Sequence, residues 1–248
     1  MNIAILVAME EELAPFLATA TTRHPAAPER GSQDLAGARF LEIEINNIRV
    51  LLVTTGIGLV NAAIAATLAI TRFSADTLIS CGSAGGVGKG VRVGDVVVAT
   101  ETCYSSADAT AFTNYALGQI PQMPARFVAD ANLVRDSALL NAGALTPQND
   151  GGGGPAKSAV HRGLTLSSDA FIWEKNYADY VGKFPDALAT DMETAAIGQV
   201  AYKFGVPWVS IRAISDLCGP QGPDDFKTHI DGAAEIAAQA VTQLLSKL

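Results

Sequence analysis

The chain has 248 residues, 49% of them hydrophobic and 17% charged, with 23 glycines and a formal net charge of −8. That length and apolar content suit one large domain, or two small ones, around a substantial core, and they exclude a disordered or fibrous chain. The acidic balance, with no basic patch, excludes sequence-independent binding to nucleic acid.

Asn2 to Ala8 (NIAILVA) is a continuous apolar run of strand length, as expected for a strand covered on both faces. Without a basic flank or a cleavage site it reads as a first strand rather than a leader, and nothing in the chain has the length and apolarity of a membrane span. Glu10, Glu11 and Glu12 follow at once. They read either as the acidic first turn of a surface helix or as the source of one catalytic carboxylate.

EIEINNIRVLLVTTG holds two strand-like runs around Asn46-Asn47, a plausible hairpin turn. After Gly56-Ile57-Gly58, the alanine-rich LVNAAIAATLAITRF is helical by propensity. DTLISCGSAGG is a strand running into glycines, GDVVVATETCY is another strand, and ARFVADANLVRDSALLNAG reads as a helix ending at Gly143.

Pro147 to Ser158, with four consecutive glycines, reads as a flexible surface loop. The alternation of elements resumes beyond it, so the expectation is a single domain over 1–248. VHRGLTLSSD is a strand, DALATDMETAAIGQVAYKFG a short strand feeding a helix that ends at Gly205, and VPWVSIRAISD the last strand. A helix from about Ile230 closes the chain. Strands alternating with helices imply a layered α/β fold, a sheet with helices on both faces. Ligands gather at the carboxyl ends of such strands.

Several polar groups fall at those ends: Glu12, Ser83 and Gly85, Asp169, Glu193 and Asp216. Asp216 reads as a turn-forming aspartate, or as a partly buried acid with a raised pKa that donates a proton near neutrality. Arg212, four residues earlier on the same strand face, reads as a structural ion-pair partner, or as a group that positions a carboxylate or water. Glu193 in a first helical turn complements the helix dipole, or accepts bonds from the vicinal hydroxyls of a sugar.

GSAGG (82–86) permits close backbone approach to a ligand, but the dinucleotide-binding glycine spacing is absent. Phe171 and Phe226 are core residues or pocket walls. Cys81, Cys103 and Cys218 form no CxxC and read as reduced thiols of a cytoplasmic protein. His24, His161 and His229 are scattered, so no metal site is expected.

AMEEE, TTGIGLVNAA, CGSAGG, GDVVVATETCY followed by DATAF, SSDAFI, DMETAAI and RAISD occur in the order and spacing of bacterial 5′-methylthioadenosine/S-adenosylhomocysteine nucleosidases. The chain resembles that family over almost its whole length. GSAGG, DMETAAI and RAISD are shared in outline by the wider purine nucleoside phosphorylase superfamily, whereas AMEEE is more specific to the hydrolytic branch.

The resemblance implies a three-layer α/β/α sandwich with a mixed central sheet, a homodimer, no cofactor, and cleavage of the N-glycosidic bond of an adenine nucleoside. It implies that Asp216 protonates adenine at N7, Glu12 activates water, and Glu193 holds the ribose hydroxyls with Met192 beside the sugar. Ser83 and Arg212 help order the water and Glu12; Phe171 stacks on adenine, and the Ile172 backbone reads its edge. Ala84, Gly85 and Ser215 also fall among the substrate-binding positions. Met9, Ile57 and Phe226 line the 5′-substituent pocket, and Phe112, Tyr115 and Pro121 reach in from the other subunit. Asp191 stands where many members carry glutamate, and the glycine run looks like an insertion.

Rival expectations are a phosphorolytic purine-nucleoside enzyme, a hydrolase of futalosine-type substrates, and a non-catalytic adenine-nucleoside binding protein. The intact set of Glu12, Glu193 and Asp216 argues against pure binding, which needs no proton donor and base together.

Overall fold

Because side chains alternate across a strand, a strand apolar on every residue must be covered on both faces. The computed structural model describes residues 2–23, 33–146 and 158–248 and bears this out at its first strand. The elements begin β1 (Ile3–Val7), α1 (Glu10–Thr19), β2 (Thr22–Arg23), β3 (Gln33–Leu35), β4 (Ala38–Ile45), β5 (Ile48–Thr54) and α2 (Leu59–Phe73). Then come β6 (Thr77–Gly86), β7 (Val96–Tyr104), β8 (Phe127–Val128), α3 (Ala131–Asp136) and β9 (Val160–Ser167). The chain ends with α4 (Tyr177–Tyr180), β10 (Ala187–Asp191), α5 (Thr194–Phe204), β11 (Trp208–Asp216) and α6 (Gly222–Leu245).

Ile3, Ile5 and Val7 pack on Leu13 and Phe16 of α1 and on Ala237, Val241 and Leu244 of α6. Ala4 and Leu6 face the other way, onto Ala62, Ala66 and Ala69 of α2 and Ala196 and Ile197 of α5. Each fully buried Leu, Ile or Val contributes about 1.5–3 kcal/mol by leaving water. The result is helix, sheet, helix: three layers.

The sheet is mixed, in the order β10-β9-β7-β11-β6-β1-β5-β4-β2, with β3 on β4 and β8 on β7. β5, β1, β6 and β11 run parallel, so their carboxyl ends share one edge. β10 also pairs antiparallel with the glycine end of β6, Thr190 opposite Gly85. The sheet thus curls back on itself there and brings the residues after β10 against those same ends.

The hairpin turn lies where Asn46-Asn47 placed it, with both residues at positive φ (51° and 64°), as a two-residue primed turn requires. Two expected boundaries differ. The helix read over 125–143 is only Ala131–Asp136. Phe127 and Val128 instead pair with Thr102 and Glu101 of β7, and the Asp130 carboxylate caps the N–H groups of Asn132 and Leu133. Beyond Asp136, Ser137 donates its hydroxyl back to the Val134 carbonyl (2.6 Å), and the chain continues in short 3-10 turns. Helix α6 begins at Gly222, earlier than about Ile230, with Pro223 and the acidic Asp224 and Asp225 in its first turn.

The loop read at 147–158 lies outside the described residues except for Ser158, and so does His24. Among the described residues, no helix is long and apolar enough to cross a membrane. Cys81, Cys103 and Cys218 are free and buried.

Candidate active site

The carboxyl ends of β1, β5, β6, β9, β10 and β11 surround one cavity of about 360 Å³. Glu12, Ser83, Ala84, Gly85, Met192, Glu193, Ser215 and Asp216 line it, with Met9, Ile57, Phe171, Ile172 and Phe226 as apolar walls.

The helical turn decides among the three glutamates, because neighbours in sequence point to different sides of a helix. Glu10 and Glu11 are exposed, and Glu10 is paired with Arg39 of β4. Glu12 is 2% exposed. Its Oε2 accepts the N–H of Ala8 (2.7 Å), the residue before the N-cap Met9 of α1. Its Oε1 accepts the N–H (2.8 Å) and the hydroxyl (3.0 Å) of Ser83. Gly82 makes this approach possible: a Cβ there would stand 2.3 Å from Glu12 Oε1, and its φ of +151° disfavours other residues. Three donors thus hold one carboxylate in place.

Glu193 is the N-cap of α5, with no side-chain cap bond of its own; its carboxylate turns to the cavity instead. Oε1 accepts the Gly58 N–H (3.0 Å), and Oε2 lies 3.4 Å from Arg212 Nη2. Burial pushes the carboxyl up to about 7; Arg212 opposes this, while the charges of Asp191 and Glu12 add to it.

Arg212 does not line the cavity. It lies beneath it, 2% exposed, donating to the Ser80 hydroxyl (2.8 Å) and the Ser83 carbonyl (3.3 Å), with Nε 3.0 Å from Asp191 Oδ2. That last contact is an ion pair without hydrogen-bond alignment. Arg212 therefore meets Glu193 directly and Glu12 by way of Ser83.

Asp216 closes β11. Its Oδ1 accepts the Cys218 N–H (3.0 Å) and its Oδ2 the Ser215 hydroxyl (3.0 Å). Burial is the largest influence and raises the carboxyl above the ordinary carboxylate range, although both bonds pull the other way. Of the four acidic residues that line the cavity, Asp191 among them, Glu193 and Asp216 are thus moved toward proton retention and Glu12 is fixed by three donors.

Phe171 and Phe226 meet edge to face, with centroids 5.6 Å apart, and make one aromatic wall. Phe112, Tyr115 and Pro121 are not among the lining residues, and Phe112 is 65% exposed. Asp169 is also outside the lining; it accepts the Leu59 N–H (2.7 Å) and ties the segment after β9 to the start of α2.

Sequence reasoning missed Ala8, Ala170, Thr190, Asp191 and Cys218 as wall residues. Cys218 carried a signal in its position two residues past Asp216, where its positive φ of 56° folds it back against Gly85. Among the described residues, no group of three or more His, Cys, Asp or Glu side chains is arranged to hold a metal ion.

Comparison with known proteins shows what the chain as a whole is similar to. The phosphorylase superfamily model matches residues 2–248. A 5′-methylthioadenosine/S-adenosylhomocysteine nucleosidase of Anoxybacillus flavithermus is 37% identical, covering 100% of this chain and 99% of its own. The crystal structure of the Neisseria meningitidis nucleosidase of the same name, in complex with methylthio-immucillin-A, superposes with a TM-score of 0.85 at 34% identity, covering 100% of this chain and 99% of that one. That of Colwellia psychrerythraea, in complex with adenine, gives 0.88 at 32% identity, covering 100% and 96%.

Proposed function

The chain belongs to the 5′-methylthioadenosine/S-adenosylhomocysteine nucleosidases of the phosphorylase superfamily, and we propose that it hydrolyses the N-glycosidic bond of these adenine nucleosides, releasing adenine and the 5-thio-ribose product. One observation carries the proposal: Glu12, Glu193 and Asp216 converge on one cavity in three different environments. Breaking a ribosyl–purine bond develops positive charge on the sugar and negative charge on the base. An acid at the leaving group and a base on water answer both needs, as in glycoside hydrolysis.

Asp216 gives its proton to adenine N7, and Glu12 takes one from the attacking water. Glu193 holds the ribose hydroxyls beside Met192. Phe171 lies against the base, the Ile172 backbone reads its edge, and Ala84, Gly85 and Ser215 complete that end. Met9, Ile57 and Phe226 surround the 5′ substituent. The whole chain, 1–248, works as one nucleosidase domain, and its buried thiols suit a reducing, cytoplasmic compartment. Incubating the protein with methylthioadenosine, adenosylhomocysteine and inosine, with and without phosphate, tests the proposal; release of no adenine from the first two would overturn it.

Glu193→Gln is expected to weaken catalysis on ribonucleosides more than on 2′-deoxy or 3′-deoxy analogues, because an ionised carboxylate holds a hydroxyl more strongly than an amide does. An equal loss on every sugar would place Glu193 away from the ribose. The same variant should be more stable than wild type at pH 8. Folded Glu193 keeps its proton to about 7, while the unfolded chain releases it near 4.5. Stability therefore falls as pH rises through that interval, and the cost, on the order of 3 kcal/mol, is complete above it. The gain in Tm should close toward pH 4.

The active form is a homodimer whose 5′ pocket is completed by Phe112, Tyr115 and Pro121 of a second copy. Phe112, Val60 of α2 and Val128 of β8 are each at least 65% exposed, a degree of apolar exposure that suits an interface. Sedimentation should give twice the chain mass, and Phe112→Ala should raise KM for 5′-substituted nucleosides more than for adenosine. A fully active monomer would contradict this.

A further inference from the structure

Asp191 ends β10 two residues before Glu193, with its side chain 1% exposed. Its Oδ1 accepts the Ser167 hydroxyl (2.5 Å) and the N–H groups of Glu193 (3.2 Å) and Thr194 (3.1 Å). Its Oδ2 accepts the Thr194 hydroxyl and lies 3.0 Å from Arg212 Nε. The Ser167 hydroxyl oxygen in turn accepts the Ala195 N–H (2.8 Å), and the Thr194 hydroxyl meets that of Ser210 (2.9 Å). One buried carboxylate thereby ties β9, β10, β11 and the start of α5 together around Glu193.

The guanidinium of Arg212 has two carboxylates to choose between. It sits closer to Asp191, at 3.0 Å, than to Glu193, at 3.4 Å. Were the Asp191 charge absent, attraction in this low-dielectric site would draw Arg212 onto Glu193. Glu193 would then spend its carboxylate on an ion pair beneath the cavity floor.

We propose that Asp191 is the positioning residue for Glu193: it takes the Nε edge of Arg212 and the N–H groups at the start of α5, and so leaves the Glu193 carboxylate available to the cavity. This deepens the proposed function, since it rests on Glu193 contacting the ribose. The charged groups around Glu193 are Arg212 from β11, Asp191 from β10 and Glu12 from α1. At the start of α2, the Gly58 N–H bonds Glu193 while Asp169 takes the neighbouring Leu59 N–H. Of these, only Asp191 both touches Arg212 and fixes the Glu193 backbone.

The test follows the Glu193 carboxyl by ¹³C NMR against pH, its signal assigned by loss in Glu193→Gln, alongside kcat/KM for methylthioadenosine. Wild-type Glu193 should titrate near neutrality. In Asp191→Asn it should move down by about one to two pH units, because a like charge has been removed and Arg212 has closed in. Activity should fall about tenfold or more as the carboxylate turns from the sugar. Asp191→Glu keeps the charge and should restore both the titration and the rate. An unmoved Glu193 titration in Asp191→Asn, whatever its Tm, would overturn the proposal. So would a wild-type Glu193 titrating as an ordinary carboxylate, or an Asp191→Glu that behaves like Asp191→Asn. If Asp191→Asn does not fold, the wild-type and Asp191→Glu titrations decide. An inactive wild type in which Glu193 still shifts would defeat the functional reading and leave the positioning role standing.

Discussion

Replacing Asp216 with asparagine is expected to lower kcat on methylthioadenosine by about 10²–10⁴, the usual contribution of a positioned general acid. The substitution keeps the shape of the side chain, and the amide oxygen still accepts the Cys218 N–H now made to Oδ1. The Ser215 hydroxyl loses its acceptor at Oδ2, but it already lies 3.3 Å from the Ala84 carbonyl and can turn to it. Tm should therefore change little while the proton is lost. A leaving group that departs as a stable anion, such as 4-nitrophenolate from its riboside, separates proton donation from binding. The variant should retain far more of its activity on that substrate than on the adenine nucleoside. Equal losses on both would assign Asp216 a binding role, and near-normal turnover of the nucleoside would sink the acid assignment. Because Glu193 must be ionised to hold hydroxyls and burial moves its carboxyl up to about 7, activity should rise with pH through that value, while burial favours the protonated form of Asp216 that donates.

Period and punctuation explain which features could be read from the sequence. The β1 run, the Asn46-Asn47 turn, α2, and the end of α5 at Gly205 are local: apolar spacing, two residues tolerant of positive φ, alanine propensity and a left-handed C-cap specify them without reference to the rest of the chain. The 125–143 segment failed because tertiary pairing overrode helical spacing, with β7 claiming Phe127 and Val128. The cavity was legible as a set of strand ends, since parallel neighbours must end on one edge.

The network of Asp191 and Arg212 that supports the cavity floor was not legible. Asp191 looked like a variant spelling of a motif, and nothing in its neighbourhood announces that Ser167 and Arg212, 24 and 21 residues away, would both reach it. Such networks depend on register between strands, and register is a property of the assembled sheet. Among Glu10, Glu11 and Glu12, sequence could say that at most one or two face inward; the turn of α1 and the partner Arg39 settle which.

Glu12→Gln is expected to bind substrate and turn it over poorly, by a margin comparable to the loss of the acid. The wild-type reaction should run in phosphate-free buffer to adenine and free sugar. Both expectations rest on how the site treats an anion. A helix N-terminus normally invites phosphate through free N–H groups and a positive dipole end. Here the first turn of α1 carries three glutamates, whose negative charge opposes an anion at that end. At the start of α2 the N–H groups of Gly58 and Leu59 are occupied by Glu193 and Asp169. Among the described residues no Lys or Arg lines the cavity, and Arg212 beneath it faces two carboxylates, Asp191 and Glu193. A phosphate beside Glu12 would meet a repulsion of about 4 kcal/mol for each pair of unit charges at ~4 Å, even at an effective dielectric of ~20. Water meets none, and the oxygens of Glu12 can accept its proton. Glutamine keeps the acceptor for Ser83 but cannot take that proton, so binding should survive and turnover should not. Ribose 1-phosphate as the product, formed only when phosphate is present, would overturn this account of Glu12.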